Sequence, residues 1–165
     1  MGKSLNPKAG HSAEWWKQRE AELSRKVCRT GKELQETISQ IIEAKAGYAR
    51  AAMIAAVVRE FGLLVQRTPV DTGRARAGWQ IGTAPTEWVP SKAQWDEYKG
   101  TGAVTRALAS VPVEQLSQAD VVYISNNVEY ILALEAGWSA QAPQGFIALF
   151  IQRLNTQLTA LAAKL

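Results

Sequence analysis

Thr68-Pro69-Val70-Asp71-Thr72-Gly73-Arg74, with Ala77-Gly78-Trp79-Gln80-Ile81 close behind, is the stretch on which the reading of this chain turns. Upstream, apolar residues recur at three- and four-residue steps; downstream they alternate. Pro69 lacks an N–H, and its ring clashes with a preceding helical turn. It also biases Thr68 towards extended backbone, so a helix should stop near Arg67. Asp71 is placed to accept a backbone N–H two residues on, and Gly73 offers the left-handed conformation of a tight turn. The stretch reads as a rigid helix-to-strand corner. Asp71-Thr72-Gly73 is also the triplet of aspartic proteases, where two carboxylates share a proton. Those enzymes are almost wholly β, with an apolar strand before the aspartate. Here a long helix and a proline precede it, which favours the turn.

Upstream of the corner, Leu34, Ile38, Ile41, Ile42, Met53, Val57, Phe61, Leu64 and Val65 predict one helix over about Lys32–Arg67. Its middle is rich in alanine, which lets another backbone approach closely. It exceeds the usual globular helix length, so it is expected to project into an oligomer. Further back, Ser12 suits the N-cap of a helix running to about Cys28. Trp15, Trp16, Leu23 and Val27 lie on one side of that helix and form its expected interface. They should dock on the domain or, as the stripe left over, on an adjacent subunit or partner. Residues 1–11 read as a flexible arm rather than a signal peptide. The chain divides into residues 1–33, arm and first helix, and residues 34–165, one α+β domain.

Downstream, Arg76–Gly82 predicts a strand with Trp79 inward. Residues 83–120 form an excursion punctuated by Pro85, Pro90, Gly100, Gly102 and Pro112, with short helices expected near Ser91–Tyr98 and Val104–Ser110. Val121–Asn126 predicts a strand, apolar on both faces at its start and so central in its sheet. Tyr130–Ala136 suits a helical turn stopped by Gly137. Pro143 fits the first position of a last helix ending near Ala163. Ile147, Phe150, Ile151, Leu154, Leu158, Leu161 and Leu165 give that helix one apolar stripe.

The 165 residues are enough for one domain with a real core, and 47% apolar with 21% charged residues is ordinary for a globular protein. No apolar run approaches the roughly 20 residues of a membrane span, and no membrane partner is expected. Cys28 is the only cysteine, so no disulfide can form within one chain, which suits an intracellular product. The net charge of +4 is accounted for by residues 1–33. Lys17, Arg19, Arg25, Lys26, Arg29 and Lys32 there are candidates to face DNA, against the blander reading of a solvated helix face with interleaved glutamates.

The sequence offers little chemistry. One histidine, His11, sits in the arm, the carboxylates are scattered, and no glycine-rich phosphate loop occurs. No catalytic residue, metal site or cofactor is expected.

Four motifs in one order carry a resemblance. They are Thr68 to Arg74, then Tyr123-Ile124-Ser125-Asn126-Asn127 with Tyr130, then Glu135-Ala136-Gly137, then Ser139 to Gly145. Over about residues 34–165 the chain resembles the tail-completion and neck proteins of tailed bacteriophages. The resemblance implies an α+β fold: long N-terminal helices, a small twisted, mainly antiparallel sheet and a C-terminal amphipathic helix. It implies a homo-oligomeric ring at the head–tail junction of the virion, made in the host bacterial cytoplasm. The implied partners are a portal-side adaptor and tail-tube or tail-terminator proteins, with non-specific contact to genomic DNA. Under it Pro69, Asp71, Thr72 and Gly73 set the corner, and Asn126 and Asn127 end the strand, with Tyr130 part of the same motif. Glu135, Gly137, Pro143 and Gly145 shape the approach to the last helix. A tail-terminator ring and a small nucleic-acid-binding protein are the competing expectations.

Overall fold

The structure, a computed structural model, describes residues 11–26 and 30–164. Val27, Cys28, Arg29, Leu165 and the arm residues 1–10, which figure in the expectations above, lie outside the described residues. The architecture is α+β. Helix α1 (Ala13–Ser24) leads to the 37-residue α2 (Gly31–Arg67). A single helical turn, α3 (Arg74–Ala77), precedes strand β1 (Trp79–Gly82). Three short helices follow: α4 (Lys92–Glu97), α5 (Ala103–Ala109) and α6 (Val113–Gln118). Strand β2 (Tyr123–Asn126) leads to α7 (Ile131–Ala133), which widens into a π turn over Leu134–Trp138. Helix α8 (Ile147–Ala162) ends the fold.

At about 1.5 Å per residue α2 is roughly 55 Å long, longer than a small domain needs. Its two halves have different company. The second half, with Ile54, Phe61, Leu64 and Val65, lies in the hydrophobic core with Trp79, Leu116, Ile131, Phe146 and Phe150. The first half is covered by α1. Ser12 caps α1 by accepting the N–H of Trp15 at 3.3 Å, and Thr30 caps α2 by accepting that of Glu33 at 3.2 Å. Trp16 packs over Gly47, where any Cβ would enter the indole ring. Lys45 pairs with Glu20 at 3.5 Å. Trp16 is 1% and Leu23 4% exposed within their own chain. This corrects the expectation that their face is left over for a neighbouring subunit: it is spent on α2. Trp15 stays half-buried, with His11 stacked on it at 3.8 Å between ring centroids.

Three further expectations are corrected. The predicted strand from Arg76 starts only at Trp79, because Arg74–Ala77 take one more helical turn. Strand β2 is not central: among the described residues it pairs only with β1, antiparallel, Trp79 opposite Asn126 and Gly82 opposite Tyr123. Val121, read as part of that strand, is 54% exposed outside it. The last helix begins at Ile147, not Pro143, because Gly145 turns the chain at φ +76° just before it. The 83–120 excursion covers the core side of α2. Ser91 and Gln94 form the expected capping box on α4, and Ala103, Ala107, Val111 and Leu116 are buried. Among the described residues no helix is long and apolar enough to cross a membrane.

Candidate functional site

The helix-to-strand corner is the centre of a hydrogen-bonded joint. α2 stops where expected, with Thr68 extended at ψ 125° ahead of Pro69. Thr68 is 1% exposed, and its hydroxyl works twice. It donates to the Leu64 carbonyl at 2.8 Å and accepts the indole N–H of Trp79 at 2.8 Å. One side chain thus closes the end of α2 and ties it to the start of β1. Arg76 reaches back to the carbonyls of Gln66 (3.1 Å) and Thr68 (3.2 Å), satisfying carbonyls that α2 leaves open at its C-terminus.

Gly73 has φ +87°, and a Cβ there would collide with the Trp95 carbonyl oxygen. Only glycine fits that combination without strain. The side chain that accepts a backbone N–H two residues on is Thr72, bonded by Arg74 N at 3.4 Å, rather than Asp71, which stands exposed at the rim. Arg74 then gathers three elements. Its guanidinium lies 5.2 Å from the Trp95 ring and 5.7 Å from the Tyr130 ring, and it grips Glu129 with two bonds of 2.5 and 2.7 Å. Hydrogen bonds from its own backbone N–H and from Arg74 hold the Glu129 carboxyl below its ordinary pKa.

The later motifs converge on the same place. The Asn126 amide donates to the Ala75 carbonyl at 2.8 Å and accepts Val128 N at 3.1 Å. Gly78 is required beneath it, because a Cβ would strike the Asn126 side chain. Asn127 donates to the carbonyls of Thr86 (2.6 Å) and Trp88 (3.1 Å), fastening the excursion. Gln141 treats Val70 as a strand neighbour: it accepts Val70 N at 3.0 Å and donates to Val70 O at 2.8 Å. Between these groups lies an open cleft of about 390 Å³, lined by Pro69 to Ala75, Trp95, Tyr130, Leu134, Ser139 and Gln141.

Glu135 has a task the sequence did not specify. Its carboxylate accepts the N–H groups of Phe146 (2.7 Å), Ile147 (2.6 Å) and Ala148 (2.9 Å), so it caps α8 from another element. Burial pushes its pKa up, and the three N–H bonds more than offset this, leaving it below the ordinary value. Gly137 (φ +90°) and Gly145 (φ +76°) make room, since a Cβ on either would hit the Pro143 or Glu135 carbonyl. Pro143 therefore serves the loop in front of α8 and not its first turn.

The bonds made by Thr68 and Gln141, and the parts played by Glu129 and Glu60, had no signature in the motifs. Glu60 is fully buried between α2 and α8, bonded by Arg153 Nε at 2.9 Å and by the Gln157 amide, with Arg59 at 3.7 Å. Burial raises its pKa, but the hydrogen bonds and the two arginine charges leave it lowered. A signal existed: Arg59 and Glu60 interrupt the otherwise uncharged stretch from Ala51 to Val65 on the same helix. Of the basic candidates, Arg19 is engaged with Glu22 at 2.8 Å, while Lys17, Arg25, Lys26 and Lys32 are exposed. Among the described residues no cluster of His, Cys, Asp or Glu could hold a metal ion.

The polar groups of the joint are turned on one another and on backbone. Such an arrangement fixes the relative positions of α2, the sheet, α4 and α8. The chain matches no family model, no curated protein and no solved structure.

Proposed function

We propose that this chain is a structural virion protein of a tailed bacteriophage, forming a ring at the head–tail junction that joins the portal-side adaptor to the tail. One observation carries the reading. Among the four motifs behind the resemblance, Gln141 of the last motif bonds the Val70 backbone of the first, Asn126 of the second holds the Ala75 carbonyl just beyond the first, and Gly137 of the third lies against the Pro143 carbonyl of the last. A motif set kept for a joint suits a protein whose work is to present surfaces at fixed angles. On this reading the protein is not an enzyme and needs no cofactor. The exposed cations Lys17, Arg25 and Lys32 suit weak, salt-sensitive contact with DNA threading the ring.

The experiment is a conditional knockout in the parent phage. Without the chain, lysates viewed by electron microscopy should hold filled heads and finished tails that are not joined. Normal virions in its absence would overturn the reading. Tails of uncontrolled length would favour the tail-terminator alternative.

A further inference from the structure

Between Thr68 and Arg74, Asp71 is the one polar side chain that the fold leaves without a partner. The turn bond that the sequence suggests for it is made by Thr72. The Asp71 carboxylate is exposed and, among the described residues, joins no hydrogen bond or ion pair. It lines the open cleft of about 390 Å³, a size usual for ligand sites. The rest of the lining is largely apolar, with Val70, Leu134 and the rings of Trp95 and Tyr130. The walls are also fixed in advance. Gln141 holds both backbone groups of Val70, and Gly73 sits against the Trp95 carbonyl.

Charge decides what this cleft can hold. Arg74, the only cation of its lining, is neutralised by its two bonds to Glu129. Lys99, whose backbone lies beside Gly73, is paired with Asp96 at 3.0 Å. Asp71 therefore sets the sign of the cleft, which is negative in a chain of net charge +4. Arg74 Nε is unbonded too, but it is shut off from solvent and meets no ligand. An added β-strand would need the backbone groups of Val70, and Gln141 already takes them.

We propose that the cleft receives a lysine or arginine side chain of a partner protein, with its aliphatic stem against Val70, Leu134 and Tyr130 and its cation at the Asp71 carboxylate. Long basic side chains suit such a place, since they lay the stem along apolar surface and keep the charged head at the rim. An apolar side chain would leave Asp71 unpaired, and an acidic one would meet it as a like charge. The inference rests on the cleft and not on the neck reading.

The test titrates the full-length, isotope-labelled chain with N-acetyl-lysine methylamide and, separately, with its norleucine counterpart, which keeps the stem and lacks the ammonium. Two-dimensional NMR with the lysine probe should show saturable shifts at the Trp95 indole N–H and at the Gly73 and Leu134 amides. The norleucine probe should bind about fivefold more weakly, the upper range for one exposed ion pair. Asp71→Asn should weaken the lysine probe by the same factor and leave the norleucine probe unchanged; its spectrum away from the cleft should match wild type, because Asp71 is exposed. Added salt should narrow the gap between the probes. Glu14→Gln, an exposed carboxylate on α1, should change neither affinity. Equal binding of the two probes, an Asp71→Asn chain that binds lysine like wild type, or lysine shifts confined to other carboxylates would overturn the proposal. Self-association of the free chain that Asp71→Asn abolishes would make the occupant a second copy and overturn the assignment to a partner protein. Lysine binding at Asp71 in a chain whose knockout leaves virions normal would keep the cleft assignment and remove the neck reading.

Discussion

The two halves of α2 are held in different ways. From Ile54 onward the helix is enclosed by α3, α5, α6 and α8, and its end is tied into the joint through Thr68, Arg76 and Trp79. Among the described residues the first half is covered mainly by α1, gripped by Trp16 against Gly47, Leu23 and the Glu20–Lys45 pair, and Arg50 near its end reaches the carbonyls of Ser117 and Ala119. The C-terminal region is fixed by many short bonds between distant residues. The N-terminal hairpin is fixed by packing of one large ring. The first arrangement resists change at many points, and the second depends on few.

That contrast can be broken at Gly73 and Gly137. Valine at either must adopt a positive φ and place a Cβ in a backbone carbonyl. Strain and overpacking together should cost about 2–6 kcal/mol, read as a fall in the urea midpoint of the whole domain. A midpoint within error of wild type would show that the joint is not rigid.

Trp16→Ala sharpens the contrast from the other side. Removing a buried tryptophan costs about 3–5 kcal/mol of local packing. The loss should fall on the hairpin, so hydrogen exchange of α1 should accelerate at least a hundredfold while α8 and β2 amides keep their protection. Equal acceleration in both regions would make the chain one cooperative unit. The same logic applies to removing residues 1–30, which uncovers Ala44 and Gly47 and so perturbs the hairpin itself.

Acid should strike the C-terminal region. Glu60 and Glu135 both have folded pKa values below the ordinary carboxylate range. Stability from such groups is present above the unfolded-state pKa and is lost as pH falls through the folded one. The urea midpoint should therefore drop below about pH 4. Glu135→Ala, which leaves three N–H groups of α8 without their acceptor, should cost about 1–2 kcal/mol at pH 7 and flatten that acid limb. An acid limb as steep as wild type in Glu135→Ala would take the cap out of the account.

The smallest effect is expected at Asp71. Its carboxylate is exposed and Thr72 makes the turn bond, so Asp71→Asn should change stability by less than about 0.5 kcal/mol. A loss of more than about 2 kcal/mol would mean that the carboxylate holds the corner after all.

These particulars also show what the sequence could and could not say. The length of α2, its end at Arg67 and the positive φ of Gly73 follow from Pro69, from helical periodicity and from glycine's freedom, all local rules. The capping box at Ser91 was local as well. The two-stranded sheet was not, because β-branched residues such as Val121 and Val122 look the same in a central strand and in the exposed approach to an edge. Nor was the burial of Trp16, since an apolar helix face does not declare whether its cover comes from its own chain. The roles of Glu135 and Gln141 depend on partners 11 to 71 residues away, and no short window contains them.

The proposal above would put this chain where head meets tail. Gold labelling of purified virions carrying a tag after Leu165 tests it most directly. The account predicts label on intact particles, confined to the junction between head and tail. Particles without label, or label spread along the tail or over the head, would contradict it.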